Sequence, residues 1–347
     1  MSLKYRTPES RFPRLSVLDL VHVRSGQSTA DAVAATSSLA HHADRLGYMR
    51  YWIAEHHNLA SAASTSPSIL VGVIAAATRR IRVGSGGVLL PNHAPLALAE
   101  QFALLEAAYP GRIDLGVGRA AGGDALTSAA LGRGCGGLDD LLKLIDPAGA
   151  QVTVANTTRT LRATPKAASV PPVWLLGASE GSARTAAQRG LPYVFGHHLG
   201  VGGTAAALDA YRSTFQPSRV LAKPCTLLPV RASVAETFQE ARRAVLPWLL
   251  VMLGLLTGRE QAPMRTIEEA EEVSLTQDER EAISRMAKDY IIGDPDQAHD
   301  EIIRLAATYR VDEVMIHPIA GAHAGDDPSV ARGQEQTLRL LAESGVR

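Results

Sequence analysis

Cysteine is nearly absent from this 347-residue chain. Cys135 and Cys225 are the only two, far apart and without metal-ligand spacing. That excludes a disulfide scaffold and fits a reducing compartment, so a cytoplasmic location is expected. Net charge is absent too: 35 basic residues balance 35 acidic ones. Neither nucleic acid nor an anionic membrane is therefore an expected partner. No apolar run is long enough to span a bilayer. The longest, "AVLPWLLVMLGLL" (Ala244–Leu256), is interrupted by Pro247 and reads as a buried or interface helix. The N-terminal "MSLKYRTPESRFPRL" has no signal-peptide core. There is no internal repeat or low-complexity tract. What remains is 46% hydrophobic content, enough for two ordinary domains or one large α/β barrel.

Short β-branched runs alternate with helical patterns. "RLSVLDLV", "YMRYWIA", "IRVGSGGVLL" and "RIDLGVG" read as the first four strands. Between them, helices start at Ser28 or Thr29 and at Pro67, and a third runs through "APLALAEQFALLEAAYPG". The pattern blurs from Arg119 to Pro171, where "QVTVANTTRTLRA" suggests a hairpin. "PVWLLG", "LPYVFG", "CTLLPVRASV" and "VDEVMIHPI" supply four more strands, with a long helical region from Ala235 to Tyr290 before the last. Eight strands, each followed by helix, predict one (β/α)8 barrel domain over 1–347, with insertions after strands four and seven. Such barrels carry their site at the C-terminal strand ends. The residues there are Asp19, Glu55, His56, His57, Gly86, Gly87, Asn92, Arg119, Ser179 and the Gly196-His197-His198 turn.

Three stretches carry chemistry. In "AEHHN", strand alternation sends His56 and His57 to opposite sides, so the two do not easily share a metal. One of them can face the barrel mouth as a base or hydrogen-bonding group; the alternative is a histidine bonded to backbone. In "VGSGGVLLPNHAP", glycines inside a strand mark a bulge, either for packing or for close approach of a flat ring. "LLGASEGSARTAA" opens a helix whose free N–H groups suit a phosphate, although plain capping by Ser179 explains it nearly as well. "GVGRAAG" imitates a dinucleotide fingerprint, but three strand-helix units precede it and "GRGCGG" interrupts the required helix. Arg119 is better read as a cation at the mouth.

Taken together, "LSVLDL", "AEHHN", "RIRVGSGGVLLPNHAPLALAEQFALLEAAYPGRIDLGVGRA" and "LGASEGSARTAAQRGLPYVFGHH" resemble the bacterial luciferase-like flavin monooxygenases. The resemblance implies a (β/α)8 barrel, usually a homodimer, that binds FMN at the strand C-termini. Reduced FMN, supplied by a separate flavin reductase, would activate oxygen for transfer to a small organic substrate. It implies catalysis by His56, cofactor binding that includes Glu55, a cis peptide at Gly86–Gly87 beneath the flavin, and phosphate contacts from Ala178, Ser179 and Ser182 near Arg119. It puts His197 where luciferases carry an aromatic residue, and Gly118 in place of their reactive cysteine. A deazaflavin (F420) enzyme and a flavin-binding protein without turnover are the alternatives. No metal is expected.

Overall fold

A computed structural model describes residues 12–120, 122, 125–132 and 137–345. Cys135, most of "GRGCGG" and residues 1–11 lie outside the described residues.

The first half follows the expected alternation. β1 (Arg14–Asp19), α1 (Thr29–Leu46), β2 (Arg50–Ile53), α2 (Pro67–Ala77), β3 (Arg82–Leu89), α3 (Pro95–Ala108) and β4 (Ile113–Gly118) come in order. Ser28 caps α1 in a reciprocal capping box with Asp31, and Gly47 ends it at φ 82°. The insertion after β4 contains α4 (Ala125–Leu131), α5 (Leu138–Ile145) and the antiparallel hairpin of β5 (Ala150–Val154) and β6 (Thr157–Leu161). Then come β7 (Val173–Gly177), α6 (Glu180–Gln188), β8 (Tyr193–Phe195), α7 (Thr204–Ser213) and β9 (Thr226–Val234).

The region from Ala235 to Tyr290 is not one long helical stretch. It breaks into α8 (Phe238–Ala244), α9 (Leu246–Thr257), α10 (Ile267–Glu271) and α11 (Gln277–Ala287). Gly258 stops α9 in the left-handed region, and Thr266 and Thr276 start new helices with capping boxes. A strand the sequence pattern did not reveal follows: β10 (Ile291–Gly293), then α12 (Pro295–Tyr309), β11 (Glu313–Pro318) and α13 (Arg332–Ser344).

Eight parallel strands close into a barrel in the order β1-β2-β3-β4-β7-β8-β9-β11, with β9–β8 and β1–β11 pairings completing the ring. β10 is a ninth strand, paired only to the C-terminal part of β9. Side chains alternate across the wall. Val17, Tyr51, Ile53, Val83, Leu115, Leu175, Leu228 and Val230 pack outward in the main core under the helices. Leu18, Leu20, Trp52, Ala54, Trp174, Val194, Leu227 and Met315 form the inner cluster. Even-numbered residues thus face inward on β1, β2, β7 and β8, and odd-numbered ones on β9 and β11.

The barrel floor is a buried charge network. The Arg50 guanidinium meets Asp114 at 2.8 Å and Glu313 at 2.6 Å. Trp52 Nε1 donates to Asp114, Ser16 donates to Glu313, and Arg50 lies over the faces of Trp52 and Trp174. Each charge here is paired and hydrogen-bonded, the condition under which burial of charge is tolerated.

Candidate active site

At the other end of the barrel a cavity of about 650 Å³ opens among the C-terminal strand ends. Its lower wall is apolar, built from the inward phase: Leu18, Trp52, Leu176, Val194 and Met315. Polar groups enter only at the rim and on one side.

One wall is β3. The pairing of β3 with β4 shifts register between Ser85 and Val88, and the Gly86–Gly87 peptide is cis. A Cβ on Gly86 would meet Leu18 Cδ1 at 2.8 Å; one on Gly87 would meet the Gly116 carbonyl at 2.9 Å. Both glycines line the cavity with bare backbone. The glycine requirement therefore comes first from neighbouring strands. A larger residue at Gly87 would disturb the barrel wall as well as anything lying on it.

β2 carries the "EHH" motif to the same rim. His56 follows the inward phase of Trp52 and Ala54 and lines the cavity. Its backbone N–H donates to the Ser64 carbonyl, while its buried Nδ1 has no partner. Burial first, then the neighbouring His22, pull its pKa down to about 4, with Glu55 opposing. His56 is thus neutral at pH 7. His57 turns the other way: its Nε2 lies 2.9 Å from Glu55 Oε1.

Glu55 reaches the cavity but carries a structural load as well. Its carboxylate is occupied. It accepts from the Leu89 N–H at 2.9 Å and from Asn92 at 3.3 Å, and its Oε2 lies 2.9 Å from His93 Nε2. Burial pulls its pKa up, yet hydrogen bonds from His93, His57 and Leu89 outweigh this and leave it lowered. Glu55 fastens the end of β3 to the end of β2 and so positions the glycine wall beside His56.

Opposite these, α6 starts at the rim. Ala178, Ser179, Gly181, Ser182 and Arg119 all line the cavity. Ser179 Oγ accepts from the Ser182 N–H at 3.2 Å, and Ser182 Oγ lies 2.9 Å from Tyr193 Oη. Both hydroxyls therefore have structural work, as plain capping predicts. Capping leaves the earliest N–H groups of α6, those of Glu180 and Gly181, without an intrahelical acceptor. Arg119 is exposed and reaches α6 through Thr185 Oγ1 at 3.1 Å.

His197 does not reach the cavity, which corrects the expected assignment. Its Nδ1 lies 2.8 Å from Thr204 Oγ1 and its ring packs on Tyr309. His198 lines the cavity instead, from the one-turn 3-10 helix His197–Leu199 that follows β8. Burial and then Arg231 lower its pKa to about 3. Strand ends alone do not point to three further groups, of which His317 lines the cavity while Trp248 and Arg231 lie behind that lining. His317 on β11 is buried, 3.3 Å from His22 across their Nε2 atoms. Trp248 on α9 stacks on His22 and meets His317 edge-on. Arg231, inward on β9, pairs in register with His317.

The chain matches the luciferase-like monooxygenase family over residues 14–312. It belongs to that family. It is accordingly an oxidoreductase. The N-acetyl-S-alkylcysteine monooxygenase of Bacillus subtilis is 33% identical over 316 residues, 89% of this chain and 94% of the relative. A luciferase-like monooxygenase of Escherichia coli strain K12 is 43% identical over 231 residues, 65% of this chain and 68% of the relative. The crystal structure of apo-MsnO8 superposes with a TM-score of 0.82 at 32% identity, covering 97% of this chain and 99% of that one. Two barrels share the fold at lower identity. One is the oxygenating constituent of 3,6-diketocamphane monooxygenase from Pseudomonas putida, in complex with FMN (TM-score 0.66, 18% identity, 96% and 98% coverage). The other is an F420-dependent secondary alcohol dehydrogenase in complex with an F420-acetone adduct (TM-score 0.63, 14% identity, 97% and 99% coverage). The family uses flavin or deazaflavin cofactors.

Proposed function

We propose that this chain is an FMN-dependent monooxygenase that uses reduced flavin and O2 to oxidise a small organic substrate. The observation that carries the reading is one juxtaposition. A bare-backbone wall at Gly86–Gly87 and an anion-suited rim, the α6 start with Arg119, face the same largely apolar cavity. A flat ring with a phosphate tail fits both ends. Ala178, the Gly181 backbone and Arg119 would hold the phosphate, with Ser179 and Ser182 shaping the helix start. In such a reaction one oxygen atom enters the substrate, the other leaves as water, and reduced FMN supplies two electrons.

The protein's own part is orientation, water exclusion and proton handling. Neutral His56 presents an imidazole that can accept a hydrogen bond or a proton from a reacting group. Leu18, Trp52, Leu176 and Met315 line the lower cavity with apolar surface, which favours exclusion of water.

A flavin reductase is the expected supplier of reduced FMN, and a second copy of the chain the expected partner. The homodimer reading has a surface to rest on: α2 exposes Ile69 (67%) and α3 exposes Leu104 (57%), both large and apolar.

Flavin titration tests the cofactor. FMN should bind with quenching of its fluorescence, and binding should outcompete F420. Reduced FMN bound to the protein should consume O2. Tighter binding of F420, with hydride transfer indifferent to O2, would support the deazaflavin alternative.

A further inference from the structure

Two arginines are buried inside this barrel, and they are treated in opposite ways. Arg50 on the floor is 3% exposed and has two carboxylates in contact. Arg231 near the mouth is 7% exposed, and among the described residues no carboxylate lies within ion-pair distance of it. Its Nη1 donates to Tyr290 Oη at 3.0 Å, and its guanidinium lies over the rings of Trp248 and Tyr290. Its Nε has no partner. An unpaired buried cation is costly to keep. Aromatic faces offset only part of that cost, and Arg50 has such faces in addition to its carboxylates.

The neighbours of Arg231 are also short of partners. Trp248 Nε1, His317 Nδ1 and His198 Nδ1 are buried without a hydrogen bond. Trp248 Nε1 can only donate, and an imidazole nitrogen can donate or accept with its tautomer. His317 and His198 line the cavity, and Arg231 sits across from His317 in the strand register. These groups come from the turn after β8, from β9, from β11 and from α9. In the eight-strand ring, β9 lies directly opposite β3, the glycine wall, and β4 and β7 carry the phosphate rim to one side.

We infer that Arg231, with Trp248, His317 and His198, forms a second anion-binding site that holds a carboxylate or sulfonate of the organic substrate. The assignment rests on the flavin reading for its orientation: an anion held on β9 presents the rest of the substrate across the cavity toward the β3 wall. The substrate class is then a small molecule with an apolar, oxidisable portion and one anionic group a few bonds away. A neutral hydrocarbon would leave Arg231 as unpaired as it is now.

The test uses two probes of one shape: N-acetyl-S-benzylcysteine, which is anionic, and its carboxamide, which is neutral. Calorimetry is run on the full chain with FMN and without it. The wild type should bind the carboxylate ~10- to 100-fold more tightly than the amide, the range expected for a charge-assisted contact. Arg231→Met, which retains the stem, should abolish the preference while FMN affinity stays within about twofold, showing that the barrel is intact. Arg231→Lys should keep part of it. Equal affinities in the wild type, failure of both probes to bind at millimolar concentration, or a preference that survives Arg231→Met overturns the assignment. If FMN does not bind but the apo protein shows the Arg231-dependent preference, the flavin reading fails and the anion site stands.

Discussion

His56 offers a perturbation whose size can be worked out before it is made. Its pKa is about 4 in the folded chain against an ordinary value of 6.5. Above pH 6.5 the imidazole is neutral whether the chain is folded or not, and it contributes nothing. As pH falls through 6.5 the unfolded chain takes up a proton that the folded chain refuses, so folding weakens. The loss grows until the folded group also protonates near pH 4. One pH unit of mismatch corresponds to about 1.4 kcal/mol, so His56 alone removes about 2 kcal/mol between pH 7 and pH 5, and about 3 kcal/mol in full. His56→Gln cannot titrate. Its stability relative to wild type should therefore improve by about 2 kcal/mol on going from pH 7 to pH 5, whatever the substitution costs at pH 7. Urea unfolding of the apo protein at the two pH values, followed by far-UV circular dichroism, reads the difference. A mutant-to-wild-type gap that is the same at both pH values would refute the reasoning, because it would mean that His56 is hydrated or charge-compensated in the fold.

Three further outcomes follow from the site. Arg119→Ala should weaken FMN about ten- to a hundredfold and leave riboflavin binding unchanged; fluorescence titration with both flavins checks this. His56→Ala should retain most FMN affinity but lose turnover by ~10²–10⁴-fold, whereas His57→Ala, by freeing part of the Glu55 carboxylate, should chiefly lower thermal stability; single-turnover oxidation and melting curves on both variants distinguish the two roles. Ile69→Glu with Leu104→Glu should convert a dimer to a monomer by light scattering, and a monomeric wild type would remove the homodimer reading.

Strand periodicity made much of this legible. The spacing Trp52, Ala54, His56 placed the first histidine of the motif in the cavity and turned the second toward Glu55. Past Phe195 the chain leaves the strand for a one-turn 3-10 helix, where a period of two no longer applies, so the sequence pattern did not show that His198 and not His197 lines the cavity. Arg231 is not marked by its position, because strand ends draw candidates from just past each strand. It lies within β9, two residues after the inward Pro229. β10 is only three residues long, too short for an alternation to show. The helices after β4 were hidden for a different reason. α5 carries a clear apolar face, with Leu138, Leu141, Leu144 and Ile145 buried, but the glycines before it broke the window in which that face could be recognised. What no single-sequence pattern conveys is partnership. That Arg50 is neutralised and Arg231 is not depends on residues up to 263 positions away.

The Arg50 floor has a kinetic consequence. With Asp114, Glu313, Trp52 and Trp174 packed around it, the barrel is a blind well, and the mouth serves both entry and exit. Substrate and flavin, on facing walls of that well, share the single opening, so whichever is bound should slow the escape of the other.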